Sequence, residues 1–470
     1  MTRLKTDLCI IGAGSAGLSL AAGAVQMGAR VVLVEGHKMG GDCLNYGCVP
    51  SKALLAAARQ AHTVRTGGFG IAPVEPRIDY AAAMDHVRMA IATIEPHDSE
   101  ERFSGLGVRV IRAWGRFLNA RELEAGEHII RARRFVIATG SRPFVPPIPG
   151  LDDVPYLTNE TLFDLRARPE HLIVIGGGPI GMEMAQAHAR LGAKVTVIEG
   201  DRALSRDDPE LAGIVLDRLR AEGVDIREGA PAKRVSGRAG AISVETAQGP
   251  VTGSHLLVAV GRTPSLDRLN LAAAGVETRK AGVWVGDDLR STNRRIYAIG
   301  DAAGGMQFTH VAGYHAGVVI RPILLGLPAK AKTAHIPRVT YTEPELAQIG
   351  PTEAEAREAH DDKLTVARFD FAGNDRAIAT GQTEGIIKVL VVKGRPVGVS
   401  IVGAEAGELI GPWALALANG LKMTALANMV APYPTLGEVN KRAAGAYFSP
   451  KLFDNPWVKG GVRVIQRLVP

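Results

Sequence analysis

The chain has 470 residues, 46% of them hydrophobic and 22% charged, a formal charge of +7 and three cysteines. That length exceeds one ordinary core and predicts roughly three or four domains, and the composition excludes a disordered or low-complexity protein. The positive charge is thinly spread, in clusters no larger than Arg131, Arg133 and Arg134, and no basic run interleaves with aromatics, so nucleic-acid binding is not expected.

The first element is an apolar strand in TDLCIIGAGSAGLSLAAGA, followed by Gly12, Gly14 and Gly17 in GxGxxG spacing and then a helix. The glycines permit a tight turn and close approach of backbone to a pyrophosphate, while the helix N-terminus offers N–H groups and a positive dipole. A second strand, RVVLVE, ends in Glu35, suited to a ribose hydroxyl. This turn explains the early apolar run better than a signal peptide does, so a cytoplasmic location is expected. Cys9, inside the first strand, reads as a small buried hydrophobe.

Next comes GGDCLNYGCVPSK, with Cys43 and Cys48 five residues apart and Lys52 four further on. In a regular helix that step leaves the Cα atoms roughly 8.6 Å apart. A disulfide tolerates about 7 Å. Gly47 and Pro50 are helix disruptors placed to close the gap, and a strained short loop suits an easily reduced, catalytic pair. Two structural thiols or half a metal site remain alternatives, although no second cysteine pair exists to complete a zinc site.

Thr139 and Gly140 in ATGSRP end a strand in a turn, and the Pro-rich PFVPPIPG marks a hinge. Beyond it, HLIVIGGGPIGMEMAQAHARLGAKVTVIE repeats the first device with Gly176, Gly178 and Gly181. Glu35 and Glu199 each fall 23 residues after the first glycine of their copy. One GxGxxG is weak; two copies at matching offsets predict two dinucleotide sites. Glu199 disfavours a 2′-phosphate, so NADH is expected, with Arg202 and Arg206 leaving NADPH open. Gly261 and Arg262 follow in VAVGRTP, and Gly300 and Asp301 in YAIGDAAGG, where an acid just after an apolar strand is a fair hydroxyl acceptor. A C-terminal domain starts near Pro337. The run LIGPWALALANGL, interrupted by Asn419 and followed by Lys422, reads as a buried helix, so no membrane span is expected. Near the end, APYPTLGEV holds Tyr433 between two prolines, five residues before Glu438.

GAGSAG, CLNYGCVPSK, ATGSRP, GGGPIGMEMA, VAVGRTP, YAIGDAAGG and, imperfectly, PYPTLGE occur in the order found in class I pyridine nucleotide-disulfide oxidoreductases, and essentially the whole chain resembles that family. The resemblance implies an α/β fold with two Rossmann-type dinucleotide-binding domains, for FAD and NAD(P), plus an α+β C-terminal dimerisation domain. The expected division is an FAD domain over 1–147, an NAD(P) domain over 148–265, a segment completing the FAD domain over 266–335, and an interface domain over 336–470.

It implies FAD at the first turn, with Gly300 and Asp301 at its ribityl and phosphate region and Thr139 and Gly140 at the crossing out of that domain. Cys48 is then the charge-transfer thiolate, Cys43 the interchange thiol, and Lys52 and Glu183 the pair beside the flavin. Arg262 and His310 take structural or cofactor-contact roles. Electrons would pass from NADH through FAD to the Cys43–Cys48 disulfide and on to a disulfide or other thiol-reactive substrate, as in dihydrolipoamide dehydrogenase. The homodimer would set Cys43 against Tyr433 and Glu438 of the partner subunit.

The family's disulfide reductases carry a histidine where this chain has Tyr433, and the last histidine here is His360. A leaving thiolate of pKa ~8.5 takes a proton downhill from an imidazolium of ~6.5 and uphill from a phenol of ~10, a difference of roughly 4.8 kcal/mol. Alternatives are a mercuric reductase-like metal-ion reductase, a diaphorase or transhydrogenase that bypasses the cysteines, and a docking flavoprotein of a multienzyme complex.

Overall fold

Strand β1 (Thr2–Ile11) is buried throughout Leu8–Ile11, as a parallel strand covered on both faces requires. It leads into helix α1 (Ser15–Gln26), β2 (Val31–Val34), and two helices in quick succession, α2 (Gly41–Asn45) and α3 (Cys48–Thr66). Strands β3 (Arg109–Ile111), β4 (Gly115–Asn119), β5 (Glu122–Ala125) and β6 (His128–Ile137) complete a sheet of order β3-β2-β1-β6-β5-β4. Ile296–Ala298 returns from far along the chain to pair in parallel with the end of β6. This computed structural model describes residues 1–469.

Alternation along β1 and β2 sorts the core into two layers. Leu8, Ile10 and Leu33 pack on the α1 side, and Cys9, Ile11, Val32 and Val34 pack on the other with Phe117 and Phe135. Cys9 is fully buried, as expected, and burial pushes its thiol up.

The second nucleotide-type sheet is parallel in the order β8-β7-β9, from β7 (His171–Ile175), β8 (Lys194–Ile198) and β9 (His255–Val258); helix α4 (Pro179–Arg190) connects the first two. A further helix, α5 (Thr309–Ile320), packs on α1, where a Cβ at Gly23 would come 2.9 Å from Ile320 Cδ1. These sheets belong to one folding unit, which covers 1–176, 184–200 and 230–332.

The second unit comprises 177–183, 201–229 and the chain from 333 onward. Its centre is an antiparallel sheet of order β10-β11-β14-β13-β12, built from β10 (Pro337–Thr340), β11 (Glu345–Ile349), β12 (Leu364–Asp370), β13 (Ile386–Val392) and β14 (Arg395–Gly403). Lys388 is buried in β13, its ammonium 2.9 Å from Asp208, 2.6 Å from Glu210 and 3.0 Å from Glu353. The helices that follow include α6 (Gly411–Ala418), α7 (Glu438–Phe453) and α8 (Pro456–Leu468). The apolar run at Trp413 is indeed a packed helix. Trp413 is buried and donates to Asn440 Oδ1 at 2.7 Å, while Leu415 faces outward. Among the described residues no helix is long and apolar enough to cross a membrane.

Candidate redox site

Helix α2 stops at Tyr46, and Gly47 (φ −120°, ψ −107°) turns the chain so that α3 restarts at Cys48. A Cβ on Gly47 would sit 2.8 Å from Asp42 Oδ2 and 3.4 Å from Cys43 Cα, so the fold-back needs glycine for space. Pro50 plays a different part from the one its sequence position suggests. It lies in the first turn of α3, ahead of the Ser51 N–H to Gly47 C=O bond, where a missing N–H breaks nothing. The break sets the two sulfurs near enough for each to govern the other's ionisation.

The two thiols differ sharply. The hydrogen bond from Cys43 pulls Cys48 down to about 6 against partial desolvation, helped by the Thr309 hydroxyl at 3.2 Å and the Lys52 ammonium and opposed by Asp42. Its place at the first residue of a 19-residue helix works in the same direction. Cys43 is pushed far up, because its proton is held by Cys48 and burial disfavours its charge; the hydroxyls of Thr309 and Ser15 act against this. When the pair loses one proton, these opposite shifts place the charge on Cys48.

Ser15 belongs to the first glycine turn, so the pair lies against it. Gly40 donates its N–H to Ala13 C=O at 2.9 Å and pairs with Gly14 in a parallel bridge. At Gly12 (φ +107°) a Cβ would be 2.4 Å from Ala138 O, and at Gly17 it would be 1.9 Å from Gly12 O. Glu35 is buried at the end of β2, with Oε2 accepting from Ala13 N and Oε1 from His37 N, both at 2.6 Å. Beside Gly12, the hydroxyl of Thr139 is buried without a hydrogen-bond partner among the described residues. A tight N–H-lined turn, a buried carboxylate and an orphaned hydroxyl fit a dinucleotide bound here.

The second turn reproduces the first. Gly12 N–H bonds Val34 C=O at 2.8 Å and Gly176 N–H bonds Ile198 C=O at 2.9 Å; a Cβ at Gly176 (φ +113°) would be 2.4 Å from Ala259 O. Gly178 precedes α4, Gly181 lies in its first turn, and Glu199 directly follows β8.

Polar contacts clamp the redox loop. Asp42 Oδ1 accepts from Arg262 at 2.9 Å and from Asn159 Nδ2 at 3.0 Å, and the same Asn159 amide donates to Tyr46 C=O at 3.1 Å. Arg262 also donates through Nε to Ser141 Oγ at 2.7 Å; Ser141 in turn donates to Asp301 Oδ2 at 2.5 Å. Burial raises the Asp301 pKa, with the Ser141 bond and Arg262 opposing. Gly300 N–H donates to Nδ1 of the buried His315 at 3.2 Å, a side chain packed behind the loop. Gly261 (φ +131°) accepts from Phe144 N–H at 2.9 Å and leads into the strand that carries Arg262 alongside Ser141–Pro143. His310 stacks on Phe308 at 5.2 Å.

Lys52 donates to Ser51 Oγ at 3.3 Å on the turn of α3 that follows Cys48. Glu183 is buried in α4 and accepts from Tyr341 N–H at 2.9 Å. Tyr433 is 69% exposed, and its hydroxyl donates to Asp375 Oδ2 at 2.9 Å. That bond raises the phenol pKa, and Glu438, at the start of α7, adds to the rise. Ser15, Asp42, Ser141, Asn159, Thr309 and Asp375 are thus site residues that the motifs did not single out. Ser15, Asp42 and Ser141 stood inside the motifs; Asn159 lies 117 residues from Asp42 and Asp375 lies 58 from Tyr433, separations at which no local pattern signals contact.

The family described as pyridine nucleotide-disulphide oxidoreductase matches residues 6–316, and its dimerisation domain matches 336–444. A mercuric reductase of Lysinibacillus sphaericus is 36% identical over 93% of this chain and 82% of its own length. A dihydrolipoyl dehydrogenase of Bacillus subtilis (strain 168) is 34% identical over 92% of this chain and 96% of its own. Among solved structures, the Cu(II) complex of the HOCl-induced flavoprotein disulfide reductase RclA from Escherichia coli superposes with a TM-score of 0.84 at 29% identity, over 93% of this chain and 99% of that one. With both nucleotide turns, the cysteine pair and the dimerisation domain accounted for, the chain belongs to the class I pyridine nucleotide-disulfide oxidoreductases, flavoenzymes that use FAD and NAD(P)H.

Proposed function

We propose that the protein is a homodimer that reduces a disulfide, persulfide or other sulfur electrophile whose leaving group is acidic enough to depart with little proton assistance. The observation that carries this reading is the Tyr433 hydroxyl. Held by Asp375 and made less acidic by it, the phenol is a poorer proton donor than a free one, and no histidine follows His360.

Bound FAD and NAD(P)H supply the two electrons that return the Cys43–Cys48 disulfide to the dithiol. In that dithiol Cys43 holds the proton and Cys48 the charge. Proton transfer from Cys43 Sγ to Cys48 Sγ frees the Cys43 thiolate, which attacks the substrate sulfur; that S–S bond breaks and a thiolate departs. Cys48 then loses its proton to the departing thiolate or to water and attacks Cys43 Sγ. The pair closes into a disulfide and the second thiolate is released.

In this scheme Gly12, Gly14, Gly17, Glu35, Thr139, Gly140, Gly300 and Asp301 hold FAD, with Lys52 and Glu183 at its reactive side. Gly176, Gly178, Gly181, Glu199, Gly261 and Arg262 serve the nicotinamide nucleotide, with NADH preferred over NADPH because of Glu199. Tyr433 and Glu438 of the partner subunit close the substrate site at Cys43. The chain divides functionally as 1–147, 148–265, 266–335 and 336–470.

A second reading, reduction of a thiophilic metal ion, is supported by the mercuric reductases among the relatives. Against it, no cysteine follows Cys48. A panel of lipoamide, glutathione disulfide, coenzyme A disulfide, an aromatic disulfide with an acidic thiol, Hg(II) and quinones, run with NADH and NADPH, separates the two. The expected result is preference for the aromatic disulfide, and a gain of about tenfold or more on the alkyl disulfides in Tyr433→His. A histidine variant that gains on none of them overturns the reading.

A further inference from the structure

The last helix, α8, has an apolar face with nothing packed on it. At 100° per residue, Trp457, Val458, Val462, Val464, Ile465 and Leu468 fall within an arc of about 160°. Lys459, Arg463, Gln466 and Arg467 share the opposite arc. No residue of α8 is buried; Trp457 is 88% exposed and Leu468 76%. Leu452 and Phe453, at the end of α7, are exposed as well. The match to the family's dimerisation domain ends at residue 444, ahead of α8.

The charge pattern bears on what could cover this face. Three cations and no acid stand on its polar side. A tryptophan-bearing apolar arc whose only charged neighbours on the helix are Lys and Arg matches the boundary of an anionic bilayer, where the indole sits among the headgroups and the cations meet the phosphates. At 13 residues the helix is about 20 Å long, too short to span a hydrocarbon core of roughly 30 Å. It can only lie in the plane of the surface.

We propose that α8 is a membrane-surface anchor that docks the enzyme on anionic lipid. Each cation near the surface is worth roughly fivefold in partitioning, and a dimer presents two such helices, so affinity rises steeply in the assembled enzyme.

The test is co-sedimentation of the flavin-loaded full chain with vesicles of mixed phosphatidylglycerol and phosphatidylcholine, and with phosphatidylcholine alone. Partitioning should be at least about tenfold stronger on the anionic vesicles and should fall as salt is raised. The triple variant Lys459→Glu, Arg463→Glu, Arg467→Glu should lose that binding, and Trp457→Ser with Leu468→Ser should weaken it on both vesicle types. Dimer mass and turnover of an aromatic disulfide should stay unchanged in both variants. Equal sedimentation of parent and triple variant overturns the proposal. So does dissociation of the dimer in the Trp457→Ser, Leu468→Ser variant, which would show that a second copy of the chain covers α8.

Discussion

Cys43 and Cys48 sit in a segment fixed from several sides, whereas Tyr433 hangs from a loop tied down by two neighbouring residues. Around the sulfurs, Asn159 spans α2 from Asp42 to Tyr46, Arg262 grips Asp42, and Ser15 and Thr309 touch the thiols. Around Tyr433, Asp375 takes the hydroxyl, and Asn374 donates to Thr435 C=O at 3.1 Å. The half of the chemistry that stores electrons is preorganised inside one chain. The tyrosine that stands at the family's histidine position is exposed on the single chain.

The largest test of this contrast removes the electron store. Cys48→Ser should lower turnover of every disulfide by at least about a thousandfold, while quinone reduction, which needs no sulfur pair, persists. Equal loss on quinones would show that the substitution damaged the flavin site and not the sulfur relay.

Next comes the clamp. Arg262→Met leaves the carboxylates of Asp42 and Asp301 without their cation in a partly buried setting, and should cost about 2 kcal/mol of stability, read from denaturant midpoints. Arg262→Lys should recover only part of this, because a single ammonium cannot reach Ser141 and Asp42 with the fork geometry seen here.

A smaller effect is expected at Thr309. Its hydroxyl stabilises the Cys48 thiolate, so Thr309→Val disfavours the charged form and moves the thiol pKa upward. Alkylation of the reduced protein should rise through a midpoint at about 6 in the parent. In the variant that midpoint should lie about one unit higher. An unchanged midpoint would mean that the helix terminus and Cys43 suffice.

The same contrast explains what could be read from the chain without its fold. Both glycine turns were legible because a pyrophosphate cradle constrains consecutive residues, and Gly12 and Gly176 indeed share one geometry to within 0.1 Å in their Gly N–H bonds. The cysteine pair was legible for the same reason, since Gly47 sits between the sulfurs. Pro50 misled because proline inside a helix and proline in its first turn look alike until the start of the helix is known. Asn159, Thr309 and Asp375 left no local trace: each meets its partner only after the chain has folded over a long separation. Tyr433 was conspicuous by type and position, whereas its hydrogen-bond partner Asp375, on a separate short helix, was not.

That partner supplies the finest test. With Asp375 ionised, deprotonating Tyr433 removes a donated hydrogen bond and sets two negative charges side by side, so the phenol pKa is raised. Asp375→Asn removes the charge and offers an amide N–H in its place, which favours the phenolate, so the pKa should fall. Phenolate absorbance in the near ultraviolet, taken as the difference between Asp375→Asn and the double variant with Tyr433→Phe, isolates the one tyrosine. If Tyr433 donates a proton to the leaving thiolate, the more acidic phenol should speed turnover of alkyl disulfides, and Tyr433→Phe should abolish that gain. A fall in pKa with no change in turnover would place Tyr433 outside proton transfer and leave the acidity of the leaving group to carry the reaction alone.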